Sequence, residues 1–147
     1  MLAIGSDHGG YSLKEELKRH LDAKGVAYRD FGTHNGESCN YAEIARIVCK
    51  SVIDGECENA ILVCGTGIGI SIAANKIKGI RAACCSDYMS AKYTRLHNNA
   101  NVLCLGGRVI GPGLAAELVD VFLASGFEGG RHAERLGTIT DIENKGC

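Results

Sequence analysis

Five short aliphatic runs, each followed by a segment of helical length, limit what this chain can fold into. The runs are Leu2–Gly5, Val26–Phe31, Ala60–Cys64, Ile80–Cys85 and Val102–Leu105. They are mainly aliphatic and do not alternate polar with apolar, which is how strands of a parallel sheet covered on both faces read. After the first run, Leu13, Leu17 and Leu21 recur at i, i+4 and i+8 from a start near Ser12 until Gly25 stops the pattern. Further helices are expected over Tyr41–Ile53, from roughly Gly69 to Lys76, over Asp87–Leu96, from Gly111-Pro112-Gly113 to about Ala124, and from the Arg131 region to about Asn144. The stretch 97–101, His-Asn-Asn-Ala-Asn, reads as a polar turn. The alternation predicts an α/β protein, a three-layer α/β/α Rossmann-like fold with a five-stranded parallel sheet and an extra C-terminal helix. At 147 residues the chain fits one domain, 1–147.

In open α/β sheets, ligands bind outside the carboxyl ends of the strands. That rule selects Asp7 and His8, Cys64 to Gly69, Ser86 and Asp87, His97 and Asn98, and Arg108. Cys64-Gly65-Thr66-Gly67-Ile68-Gly69 is the most informative of these. Gly65, Gly67 and Gly69 allow backbone N–H groups to point inward. A turn that opens a helix is suited to an anion, and a thiol placed there is favoured as a base. A dinucleotide loop is the rival. Its third glycine would come one place later, its loop would follow the first strand, and a second domain would hold the substrate. No Gly-Lys-Ser/Thr follows, so the Walker pattern fails as well.

The other positions keep an ordinary reading beside the chemical one. Asp7-His8-Gly9-Gly10 offers an acid beside an imidazole, or a turn that caps the next helix. His97 is a surface residue or an acid/base group, since histidine titrates near neutrality. Arg131 and Arg135 stand at i and i+4, a pairing that suits a phosphate or a solvated face neutralised by Glu128 and Glu134.

Composition narrows the partners. Sixteen basic and 17 acidic residues leave a formal charge of −1, which argues against nucleic acid or a polybasic membrane surface. No run approaches the roughly 18 apolar residues of a membrane span, and the start lacks a signal-peptide pattern. A cytoplasmic protein is expected. The eight cysteines form no Cys-x-x-Cys. They read as free thiols of a reducing compartment, with only Cys64 where chemistry would use it.

Together these pieces resemble one family. Ser-Asp-His-Gly-Gly at 6–10, Cys-Gly-Thr-Gly-Ile-Gly-Ile-Ser-Ile-Ala-Ala-Asn-Lys at 64–76, Gly-Ile-Arg-Ala at 79–82, Arg-x-His-Asn at 95–98 and Glu-Gly-Gly-Arg-His-x-x-Arg at 128–135 match the ribose-5-phosphate isomerase B family. That family also holds galactose-6-phosphate and allose-6-phosphate isomerases. The resemblance implies an aldose–ketose isomerase without cofactor or metal. It would interconvert ribose 5-phosphate and ribulose 5-phosphate through an enediolate, in the non-oxidative pentose phosphate pathway. It implies Cys64 as the base, Thr66 beside the sugar oxygens, and the amides of Gly65, Gly67, Ile68 and Gly69 around the enediolate. His97 would open the sugar ring with Asp7 nearby, and Asn98 would contact the sugar. His8, Arg108, Arg131 and Arg135 would face the phosphate. It also implies a homodimer or dimer of dimers with sites shared between subunits.

Ile68 stands where one branch of the family carries a glutamate base, so this chain resembles the cysteine branch. Asn40-Tyr41-Ala42 replaces the usual Asp-Tyr-Pro, which bears on substrate breadth. A six-carbon sugar phosphate is the alternative substrate, and a nucleotide-binding module is the alternative from another class.

Overall fold

The computed structural model describes residues 1–146; Cys147, counted above among the free thiols and the 1–147 domain, lies outside them. Five strands, β1 (Leu2–Ser6), β2 (Tyr28–Asp30), β3 (Asn59–Cys64), β4 (Ala82–Cys84) and β5 (Val102–Gly106), form one sheet in the order β2-β1-β3-β5-β4. Every pairing is parallel. The helices are α1 (Tyr11–Ala23), α2 (Tyr41–Ile53), α3 (Ile68–Ala74), α4 (Tyr88–Asn98), α5 (Pro112–Ala124) and α6 (Arg131–Lys145). No helix among the described residues is long and apolar enough to cross a membrane. The three-layer architecture agrees with the alternation in the sequence.

The apolar runs of the central strands β1, β3 and β5 follow from burial on both faces. Ile4, Ile61, Val63, Leu103 and Leu105 face one core, filled by Leu13, Leu17 and Leu21 of α1, Ala91 of α4, and Leu118 and Phe122 of α5. Ala3, Leu62, Cys64 and Cys104 face the other, against Val48 and Cys49 of α2 and Ile70 and Ala74 of α3. β2 and β4, at the two edges, are each only three residues long. Both are shorter than the runs that announced them, because an edge strand has one neighbour to pair with.

The chain leaves β1 toward β2 on one side and returns to β3 on the other. The switch point between β1 and β3 therefore opens a crevice flanked by Asp7 and Cys64.

α4 extends further than its sequence pattern indicates. His97 and Asn98, expected in a polar turn at a strand end, are its last two residues. Asn99 closes the helix in the left-handed conformation, φ 44°. The Arg95 guanidinium braces this end, bonding the Ala100 carbonyl at 2.5 Å and Asn99 Oδ1 at 3.3 Å.

Lys14 is fully buried, its Nζ held by both Asp30 oxygens (2.8 and 2.7 Å) and by the Thr33 carbonyl (2.7 Å). Burial pushes the Asp30 carboxyl upward, but hydrogen bonds from Lys14, Lys18 and the Gly32 amide outweigh it and hold the group below its usual value. Lys14→Ala leaves a half-buried carboxylate with Lys18 as its remaining cation and empties the fully buried site of the ammonium. It is expected to cost about 3–5 kcal/mol in equilibrium urea unfolding at neutral pH. A depressed carboxyl stabilises the fold above its unfolded pKa of about 4, and that contribution disappears as pH falls through the lower folded value. Wild-type stability is thus expected to decline on acidification below about pH 4, with Lys14→Ala showing a weaker decline.

Candidate active site

Three loops meet over the crevice. The first follows β1: the Asp7 N–H donates to the Val63 carbonyl (3.1 Å), and Asp7 Oδ1 accepts from the Gly10 N–H (3.1 Å). Asp7 thus closes its own turn with one oxygen, as the ordinary reading supposed. The second loop is the glycine turn after β3. The third follows β5 and is pinned to the second, with the Gly107 N–H on the Cys64 carbonyl (2.8 Å) and the Arg108 N–H on the Gly65 carbonyl (3.0 Å). The Arg108 side chain lies across Gly65, and Gly9 packs on the Gly65 backbone.

At the centre is Cys64, only 4% exposed, whose sulfur accepts the Gly67 N–H at 3.1 Å. The Ile68 N–H reaches Thr66 Oγ1 at 3.3 Å, while among the described residues the Gly65 and Thr66 N–H groups take no intramolecular acceptor. The turn therefore divides its donors. The Gly67 amide serves the sulfur, and Gly65 and Thr66 are left for an incoming oxygen.

The neighbouring thiols are held protonated. Burial pushes Cys49 up to about 12 and Cys85 up to about 11, and raises Cys84 and Cys104 as well. Cys84 lies beside the turn, with its Sγ 3.8 Å from the Thr66 carbonyl.

Gly67 has φ 79°, and a Cβ there would stand 2.9 Å from Cys84 Sγ and from the Leu105 carbonyl carbon. Gly67→Ala must therefore displace the turn. A shift near 1 Å at reacting groups costs on the order of 10²-fold. A loss of that size in kcat, with the fold preserved by circular dichroism, is the expected result.

His8 is exposed, and its Nδ1 accepts the Cys39 N–H at 3.3 Å. That bond places the neutral ring's proton on Nε2, so His8 offers a donor. Tyr41, absent from the expected site residues, lies with its ring over Gly69. Asn40 caps α2 by accepting the Ala42 N–H at 2.9 Å, so asparagine does locally what the usual aspartate would. Asp87 is a cap too: Oδ1 takes the Ser90 N–H (2.8 Å) and Oδ2 the Ser90 hydroxyl (2.7 Å).

The remaining site residues form a second group. His97, Asn98, His132 and Arg135 line a pocket of about 500 Å³ between α4 and α6 that extends to Cys84. His97 and His132 stack, with ring centroids 4.0 Å apart and planes at 10°, and Tyr93 meets His97 edge-on at 4.8 Å. Burial lowers the His132 pKa, as do the positive charges of His97, Arg131 and Arg135, against the opposing Glu128. Glu128 turns to the two imidazoles, and none of Arg108, Arg131 and Arg135 pairs with a carboxylate among the described residues. The neutralised-face reading of the two helical arginines does not hold.

His97 and Asn98 are not at a strand's carboxyl end. α4 runs antiparallel to the sheet for 11 residues, about 16 Å at 1.5 Å per residue. Its start lies near the end of β4, and its end leads into the beginning of β5. In one chain, His97 and Cys64 therefore belong to opposite ends of the sheet.

A hydrogen-bonded thiol, a hydroxyl and free amides stand together at the switch point of a doubly wound sheet, where an anionic small molecule can be accommodated. The chain belongs to the Ribose/Galactose Isomerase family, whose profile matches residues 2–139. It is 48% identical over 144 residues to ribose-5-phosphate isomerase B of Escherichia coli, covering 98% of this chain and 97% of that one. Its structure matches the Clostridium thermocellum ribose-5-phosphate isomerase B with TM-score 0.96 and 51% identity, over 98% of this chain and 97% of that one. It also matches the Mycoplasma genitalium enzyme with bound ribulose-5-phosphate, with TM-score 0.92 and 38% identity, over 98% and 96%.

Proposed function

We propose that this protein interconverts ribose 5-phosphate and ribulose 5-phosphate, with Cys64 as the proton carrier. The observation that carries the assignment is the Gly67 N–H on the Cys64 sulfur, at a strand end where two further amides stand free. The Cys64 thiolate takes the proton from C2 of the open-chain aldose, and the electron pair moves through C1 onto O1. The amides of the turn stabilise that developing charge. One such donor is worth roughly 3 kcal/mol. Thr66 passes a proton from O2 to O1, and the Cys64 thiol returns its proton to C1. Atoms and charge balance, and no electron acceptor is needed.

The phosphate end is assigned to His8 and to Arg108, Arg131 and Arg135, whose guanidinium groups have no carboxylate partner among the described residues. Asp7 stays beside the ring-opening group, and Asn98 contacts the sugar. Because α4 separates His97 from Cys64, a second copy must supply His97, Asn98 and the α6 arginines to each crevice. A homodimer, or a dimer of dimers, is the assembly that meets this need. α6 fits such a partner, since Ile139 and Ile142 on it are about half exposed. Seven free thiols among the described residues suit a reducing compartment, and we place the protein in the cytoplasm, on the non-oxidative pentose phosphate route.

Initial rates on a panel of five- and six-carbon aldose phosphates, in the presence of a chelator, test the reading. Highest kcat/KM on ribose 5-phosphate is the expected result. Preference for allose 6-phosphate would move the assignment to six-carbon sugars. Thermal stabilisation by nucleotides alone, with no turnover of any sugar phosphate, would overturn it.

A further inference from the structure

His97 Nε2 and His132 Nε2 each lie 3.6 Å from the same Glu128 oxygen, Oε2. The three ligand atoms all fall within 4.8 Å of one another. At 3.6 Å neither contact is a hydrogen bond, so the three groups converge without satisfying one another. Two imidazoles and a carboxylate are a donor set for zinc, bound at about 2.0–2.2 Å. Around a tetrahedral ion, donors at that distance stand roughly 3.3 Å apart. The two His–Glu separations are within a few tenths of an ångström of that value, and the imidazole pair closes by tilting out of its stack.

The backbone holds the three ligands in place. The Glu128 N–H bonds the Leu96 carbonyl at 3.0 Å, tying the segment before α6 to the end of α4. The His132 N–H bonds the Gly129 carbonyl at 3.1 Å, and Tyr93 supports the His97 ring. The two histidines line the solvent-open pocket between α4 and α6, which leaves a path for the ion and a side for water or chloride as fourth ligand. Arg131 and Arg135 oppose a cation here, which makes the site reversible instead of structural.

We infer that His97, Glu128 and His132 form an inhibitory site for a divalent transition-metal ion of the zinc type. Ion binding rests on this geometry alone. Inhibition rests in addition on the role proposed for His97, because an imidazole whose Nε2 is bound to metal cannot exchange a proton with a sugar. Magnesium and calcium prefer all-oxygen sites and are not competitors.

Cobalt(II) is the probe, added to the full chain purified in chelator and then freed of it. One cobalt per chain is expected, with visible d–d bands, no near-ultraviolet thiolate-to-cobalt charge-transfer band, and displacement by zinc. Glu128→Gln should weaken binding by roughly tenfold or more, His132→Gln likewise, and Cys64→Ala should leave it unchanged. Zinc, but not magnesium, should lower ribose 5-phosphate turnover, with full recovery on adding chelator. A thiolate charge-transfer band would place the metal on a cysteine and overturn the inference. So would unchanged affinity in both Glu128→Gln and His132→Gln, or failure of cobalt to bind. Turnover measured in chelator tests the isomerase reading separately, since it does not involve the metal.

Discussion

Cys64→Ala is expected to lower ribose 5-phosphate turnover by roughly 10²–10⁴-fold, the usual contribution of a positioned base, while sugar-phosphate binding persists. The groups assigned to the phosphate lie elsewhere, on Arg108, His8 and α6, so truncating the thiol removes proton transfer and leaves the anion's contacts. No neighbouring sulfur is placed to substitute. Cys84 is the nearest to the turn, but burial raises its pKa and its Sγ faces the Thr66 carbonyl. Two measurements check this: kcat by a coupled assay, and exchange of the C2 proton with deuterated solvent, which reports carbon–hydrogen cleavage alone. Both should fall together in Cys64→Ala, with affinity for ribose 5-phosphate by calorimetry changed little. Exchange that continued at the wild-type rate would remove Cys64 from the role of base. Cys84→Ala serves as the contrast and should keep most of its turnover.

How far the sequence anticipates this site depends on how local each signal is. The glycine turn was legible because its chemistry is written in consecutive residues, and Gly67 does adopt a positive φ that favours glycine. The layers were legible because burial on both faces leaves apolar runs in the three central strands. The insertion of β5 between β3 and β4 left no local trace, since strand order depends on which edge a crossover reaches.

Lys14 was hidden for another reason. It sits beside the Leu13, Leu17 and Leu21 stripe, and nothing nearby in sequence announces Asp30 or the Thr33 carbonyl as its partners. The polar residues 97–101 suggested a turn, yet a helix can continue through polar residues when its end is braced. Arg95 and the left-handed Asn99 supply that brace only once the chain is folded. Asp87, selected by its place after a strand, caps α4, because an aspartate before a helix supplies the free amides with an acceptor. His132 and Glu128 were visible as motif letters, but their convergence on His97 depends on how α6 lies against α4.

Mixing two separately inactive variants, Cys64→Ala and His97→Asn, is expected to restore activity. The reason is the length of α4. Within one chain, Cys64 and His97 stand at opposite ends of the sheet, so each complete site would draw them from different copies. In a mixed dimer one crevice combines both defects and the other combines none. If subunits exchange freely between the two homodimers, half the dimers are mixed and half of their sites are intact, so activity should approach about a quarter of wild type under two-fold symmetry. Each parent alone should stay at or below roughly a hundredth, given the size of acid–base contributions. The measurement is turnover after the two proteins are partly unfolded together and refolded, compared with each treated alone. His97→Asn should also lose more on the cyclic sugar than on an open-chain analogue, because ring opening precedes the step at Cys64. A mixture that stayed at the parents' level, with exchange verified by mass-tagged subunits, would put both residues in the same chain's site.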